Sequence, residues 1–206
     1  MASDLERAKL ARLARALNRR PNLPPLILMT DEVRLPDPIA AAAKLPKRSA
    51  IILRHRDAGA RRRLAEQLKR IAHACDLILL IAGDAGLVTD LDAGGLHLAE
   101  RDARDAAHWK ALRPQWLITV AAHSMAGLAT AGRVRADAAL LAPVFPTRSH
   151  PDRAALGGNR FRMMAQNSPV PVYALGGVKA STAAALLGTP LAGIAAIDAL
   201  LPDYKI

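Results

Sequence analysis

From about residue 25 to residue 200, short apolar runs alternate with stretches of helical character. The runs are LILMTD, AIILRHRD, DLILLIA, GGLHL, QWLITVAA, ADAALLAPV, VPVYAL and LAGIAAI. Strands separated in this way lie parallel, because a crossover helix returns the chain to the same edge before each new strand. The runs are apolar almost throughout, as strands buried on both faces must be. Eight such units in roughly 180 residues, with no linker or second composition zone, predict a small, single (β/α)8 TIM barrel; an open, doubly wound sheet is the alternative. Gly176-Gly177 after the seventh run favours the barrel. Such barrels often hold phosphate in the loops after strands seven and eight.

Residues 3–18 read as an amphipathic helix with Leu5, Leu10, Leu13 and Leu17 on one face and arginines on the other. They are expected to cap the domain, which divides the chain into residues 1–22, helix and linker, and residues 23–206, barrel. DPIAAAAKL predicts a helix with Asp37 as its N-cap and Pro38 in its first turn. AGARRRLAEQLKRIAHAC is a clear helix and DAGLVTDLDA a weak one. Further helices are expected from Asp102, over SMAGLATAG and KASTAAALLG, with a helical turn in GNRFRMMAQN and a short last helix in DALLPD.

Composition excludes several functional classes. Cys75 is the one cysteine, so no internal disulfide can form, and a reducing, cytoplasmic location fits. No apolar run approaches the roughly 18 residues of a membrane span, and the first twenty residues lack the apolar core of a signal peptide. The formal net charge is +11, but the arginines are dispersed, and aromatic residues for base stacking make up only 3% of the chain. Anionic small molecules are therefore better partners than nucleic acid or a membrane. A homo-oligomer is compatible with this reading.

In a parallel barrel, chemistry collects where strands end. In IILRHRD, alternation puts Ile52, Arg54 and Arg56 on one strand face, so both guanidinium groups are expected to point into the barrel mouth and bind phosphate or diphosphate. His97 ends the fourth run and reads as a satisfied core histidine rather than a catalyst. Asp102 sits in an N-cap position, and capping alone would explain it. His123 follows the fifth run; it could be a general acid or base, or simply begin a helix. Gly176 and Gly177 offer backbone N–H groups to an anion. ALLAPVFPTRSHPD, residues 139–152, is the most unusual stretch: two prolines bracket Phe145, and Thr147, Arg148, Ser149 and His150 follow at once.

These pieces resemble the thiamine phosphate synthase family and its relative, the thiazole tautomerase. LMTD, ILRHRD, GGLHLAERD, APVFPTRSH, ALGGV and GIAAI fall in that family's order and spacing over roughly residues 25–200. The resemblance implies the same barrel. The synthase joins a pyrimidine diphosphate to a thiazole phosphate and releases diphosphate with Mg2+ assistance; the relative isomerises a thiazole carboxylate phosphate by proton transfer. By resemblance, Arg54 matches an arginine and Arg56 a lysine, Thr147 and Ser149 match hydroxyl positions, and His150 stands where lysine is usual. Asp102 matches a metal ligand, and His123 matches the histidine that acts in the tautomerase.

The same resemblance exposes departures. Ile52 replaces a glutamine, Ala82-Gly83 an Asn-Asp whose Asp is a metal ligand, Ala121 a serine, and Asp198 a phosphate-binding serine. Asp84 could substitute as a ligand only if its loop shifts register. Asp198 should repel phosphate unless it caps the last helix, pointing away. The expectation is a divergent member: a synthase-type transferase with weak, substrate-assisted Mg2+ binding, an isomerase using His123, or a barrel that only binds a ligand or partner.

Overall fold

The computed structural model describes residues 3–147 and 154–201. Eight parallel strands close into a barrel in sequence order, each hydrogen-bonded to the next and the last to the first. They are β1 (Leu26–Met29), β2 (Ala50–Leu53), β3 (Ile78–Ala82), β4 (Gly95–Leu98), β5 (Leu117–Ala122), β6 (Ala138–Leu141), β7 (Val172–Ala174) and β8 (Gly193–Ala196). The helices are α1 (Asp4–Leu17), α2 (Pro38–Ala43), α3 (Ala58–Cys75), α4 (Ala85–Asp90), α5 (Asp105–Leu112), α6 (Met125–Arg133), α7 (Gly157–Gln166) and α8 (Ala180–Ala183). Every residue of β1, β2, β4, β6, β7 and β8 is buried, as the apolar runs require.

Short polar residues start the helices that follow strands. Asp37, Asp57, Asp84 and Ser124 each accept a hydrogen bond from a backbone N–H in the first turn of α2, α3, α4 and α6. Each such cap contributes about 1 kcal/mol and fixes where its βα loop ends. Asp102 has no such role. It closes a short 3-10 turn, Glu100–Asp102, and α5 begins three residues later at Asp105. The end of the chain differs from expectation as well. GNRFRMMAQN makes up nearly all of the full helix α7, with Asn167 as its C-cap, whereas α8 is a single turn continued by a 3-10 turn, and a 3-10 turn follows β8.

In α1, the buried residues are Arg7, Leu10, Ala14 and Leu17, while Leu5 is 72% exposed, against the expected leucine stripe. The helix rests on the β8–β1 seam. Arg7 Nη1 donates to the Leu201 carbonyl at 2.7 Å, and Asn18, just after the helix, pairs with Leu191.

Closure at that seam is tight. Gly193 has φ +151°, and a Cβ there would collide with the Pro25 carbonyl, which accepts a hydrogen bond from Ile194 N–H. Beside it, the buried Tyr173 hydroxyl donates to the Pro24 carbonyl at 2.7 Å; burial holds its phenol far above the usual pKa. Tyr173→Phe removes this donor and leaves a buried carbonyl unpaired. Urea denaturation is expected to show a loss of about 1–2 kcal/mol; an unchanged midpoint would contradict this account of the seam.

Candidate functional site

The residues expected at the mouth do lie toward one end of the barrel. Arg54 follows β2 directly, His97 is in β4, Asp102 lies beyond β4, His123 follows β5, and Thr147 ends the described part of the β6 loop. Ser149 and His150 lie outside the described residues.

The two-arginine expectation needs correction. β2 ends at Leu53, so strand alternation does not carry through Arg54 to Arg56. Arg54 N–H instead donates to the Thr30 hydroxyl at 2.9 Å, and its guanidinium Nη2 reaches Asp31 Oδ2 at 2.6 Å. Arg56 is exposed, and its backbone N–H donates to the Glu32 carboxylate. Arg54 is close enough to the buried His97 for its charge to bear on that ring.

A chain of charges crosses the rim from this point. Asp31 also accepts from Arg34 Nη2 at 3.1 Å, and Arg34 Nη1 lies 3.5 Å from Asp198 after β8. Burial alone would raise the Asp31 carboxyl. The Arg34 side chain, its backbone N–H and its charge, with the Val33 N–H, outweigh that and hold it well below the usual carboxylate range. Asp198 does not cap the last turn, which has no side-chain cap. It faces Arg34, so its negative charge is partly neutralised.

The β3 side is rearranged too. Asp84 accepts Leu87 N–H at the start of α4 and pairs with Arg61 of α3 at 2.8 Å. It is committed to these partners, and Gly83 carries no ligand. Asp102 is 43% exposed beside Arg101 at 3.5 Å. Among the described residues, no group of three or more His, Cys, Asp or Glu could hold a metal ion. Of the carboxylates considered for Mg2+, Asp84 is engaged by Arg61 and the α4 cap, and Asp102 keeps an exposed edge.

Across the mouth, the β6 and β7 loops form one unit. Val144 N–H donates to the Leu175 carbonyl at 2.9 Å, and Phe145 N–H to the Gly176 carbonyl at 3.0 Å. This continues the β6–β7 ladder into the Pro-Val-Phe-Pro segment. Gly176 and Gly177 have φ of +90° and +65°. A Cβ on Gly176 would strike Pro143, and one on Gly177 would strike Phe145 and the Pro146 carbonyl. The glycines are therefore required by this close approach. Their own N–H groups donate to no acceptor among the described residues.

His97 and His123 have different surroundings. His97 is fully buried with Nδ1 2.9 Å from the Thr119 hydroxyl on β5. Desolvation, and then the Arg54 charge, push its pKa down to about 4. His123 is half-buried, with Nδ1 against Glu100 Oε2. Glu100 was missed in the sequence. It lies within GGLHLAERD, immediately after a strand, where Asp102 drew attention because helices so often begin on aspartate.

His97 yields a pH prediction. Its folded-state pKa lies below the ordinary 6.5, so its stabilising effect is complete above pH 6.5 and is lost as pH falls towards about 4. Wild type should lose about 3 kcal/mol more than His97→Gln between pH 7 and pH 4, read from urea unfolding. The Asp31 effect belongs to a separate window, below about pH 4. Parallel curves for the two proteins would remove His97 as the cause.

Fold and rim together define a (β/α)8 barrel protein with its polar groups at the C-terminal ends of the strands. The chain belongs to the thiamine monophosphate synthase family, whose model matches residues 26–200. It is 30% identical over 183 residues to a thiamine-phosphate synthase of Chlorobium luteolum, covering 87% of this chain and 86% of that one. A thiamine-phosphate synthase of Bacillus velezensis is 26% identical over 173 residues, 80% of this chain and 77% of its own length. With a relative from Aquifex aeolicus, 28% identity extends over 116 residues, only 62% of that protein. The fold is shared with thiamine phosphate pyrophosphorylase from Pyrococcus furiosus, with a TM-score of 0.72 over 93% of this chain and 91% of that one at 21% identity. No described helix is long and apolar enough to cross a membrane.

Proposed function

We propose that the barrel mouth carries a synthase-type transferase site of thiamine biosynthesis, which joins a pyrimidine diphosphate to a thiazole phosphate and releases diphosphate. The observation that carries this reading is the paired β6–β7 loop. Two uncommitted glycine N–H groups lie beside the Pro-Val-Phe-Pro-Thr segment, a shape suited to a phosphate. Arg54 supplies a cation on the opposite side. Its contact with Asp31 uses Nη2, and Nε and Nη1 have no partner among the described residues. Thr147, Ser149 and His150 belong to the loop that would cover the anion. Charge on a departing diphosphate would be balanced by Arg54 at a rigid position, the general means by which such sites lower a barrier. The unpaired Cys75 fits action in a reducing cytoplasm.

A second reading is proton transfer at His123, as in an isomerase of thiazole phosphates. It is favoured by one observation, the carboxylate placed against the imidazole.

Growth of a synthase-deficient cell without thiamine tests the transferase. Rescue by this chain, and loss of rescue with Arg54→Ala, is the expected result. A folded, well-expressed chain that does not rescue counts against it. Diphosphate titration gives a direct measure: a charged hydrogen bond contributes about 1.5–3 kcal/mol, so Arg54→Ala should weaken binding roughly ten- to a hundred-fold. No saturable binding by wild type would overturn the anion site.

For Mg2+, we propose binding only together with diphosphate, since Asp102 is the single matching ligand in place. Calorimetry without any anion should show no saturable Mg2+ uptake. Tight binding under those conditions would mean that the ligand set has been misread.

A further inference from the structure

We propose that Glu100 is a positioning residue that holds His123 in its Nδ1–H tautomer, leaving Nε2 as a proton acceptor on the catalytic face of the barrel. Its use in catalysis rests on the proton-transfer reading above, but the tautomer itself does not.

An ionised carboxylate can only accept hydrogen bonds, so the ring nitrogen facing it must carry the hydrogen. Nδ1 of His123 faces Glu100 Oε2. A neutral imidazole has one N–H, and placing it on Nδ1 leaves the lone pair on Nε2. That nitrogen has no partner among the described residues. An unconstrained histidine in water favours the opposite tautomer, with hydrogen on Nε2. The pair therefore imposes a state that the ring would not choose alone, and it is the state a proton acceptor requires.

The carboxylate is itself held in place. Glu100 opens the 3-10 turn after β4, and its other oxygen lies over the first turn of α6. A Cβ at Gly127 would collide with Glu100 Oε1, so glycine at this position makes room for it. The N-terminal end of a helix favours a negative charge. On the same turn, Arg101 and Asp102 face each other at 3.5 Å, which leaves Glu100 to His123. Both partners are about one-third exposed at 33% each, so a substrate can reach them. A pair this exposed contributes little to stability, about 1 kcal/mol at most. Fold maintenance is thus a poor reason for it.

The test is a long-range 1H–15N spectrum of the full chain labelled at histidine. His123 is assigned by its disappearance in His123→Asn, and the spectrum is recorded where titration shows its ring to be neutral. Wild type should show hydrogen on Nδ1 and a bare Nε2. Glu100→Ala should shift the tautomer ratio about tenfold towards Nε2–H. Gly127→Ala should shift it in the same direction, because it displaces the carboxylate without removing it. The buried His97 ring, bonded to Thr119, reports in the same spectra that the barrel is intact. The proposal fails if wild-type His123 carries its hydrogen mainly on Nε2, or if Glu100→Ala leaves the ratio unchanged while the His97 signals persist. A Glu100-dependent Nδ1–H state in a protein without isomerase turnover supports the role of Glu100 and counts against the proton-transfer reading alone.

Discussion

Closure of the sheet at the β8–β1 seam is the constraint on which the rest depends. Gly193 comes so close to Pro25 that no side chain fits between the strands, and the Tyr173 hydroxyl ties β7 to Pro24 beside it. Once a parallel sheet is closed, all its strands end at one rim. Residues far apart in sequence, such as Asp31, Arg54, Glu100, His123 and Gly176, are brought to that rim with no special device for each. The caps at Asp57, Asp84 and Ser124 then set how far each loop reaches before its helix begins.

Opposite charges at this rim are largely matched. Arg54, Asp31, Arg34 and Asp198 form one chain; Arg61 with Asp84, and His123 with Glu100, form pairs. Matching limits the cost of removing charges from water. It also means that several of the described rim cations, Arg34, Arg54 and Arg61, already face a carboxylate, despite the net charge of +11. An anion bound as proposed would gain from Arg54 only through donors not turned to Asp31. Backbone N–H groups at Gly176 and Gly177 carry no such prior commitment among the described residues.

The fold was legible because burial on two faces leaves an unmistakable run of apolar residues, and eight such runs alternate with helices. Short-range geometry was less legible. Alternation was extended three residues too far along β2, because IILRHRD gives no signal that the strand stops at Leu53. Asp102 resembled a cap, but a 3-10 turn comes first and α5 begins at Asp105. The glycine pair was recognised, while its contact with Pro143 and Phe145 was not, since nothing local links residue 176 to residue 143. Charge partners were the hardest to foresee. Asp198 meets Arg34, 164 positions away, only because closure puts β8 beside β1.

The departures from the family pattern all fall on side chains. Ile52, Gly83, Ala121 and Asp198 depart from it in or after β2, β3, β5 and β8, and His150, outside the described residues, departs in the segment after β6; every one of these positions would act through a side chain. A side chain can be exchanged without disturbing the barrel, provided that its charge is matched, as Arg34 matches Asp198. The Gly176 and Gly177 donors proposed on the β6–β7 side are instead main-chain groups, set by two glycines that cannot take a side chain without striking the neighbouring loop. If the proposed anion site is correct, packing and anion recognition are the same requirement there. A phosphate site of the proposed kind would outlast changes elsewhere on the rim, because a side chain at Gly176 or Gly177 would also break the contact between the two loops.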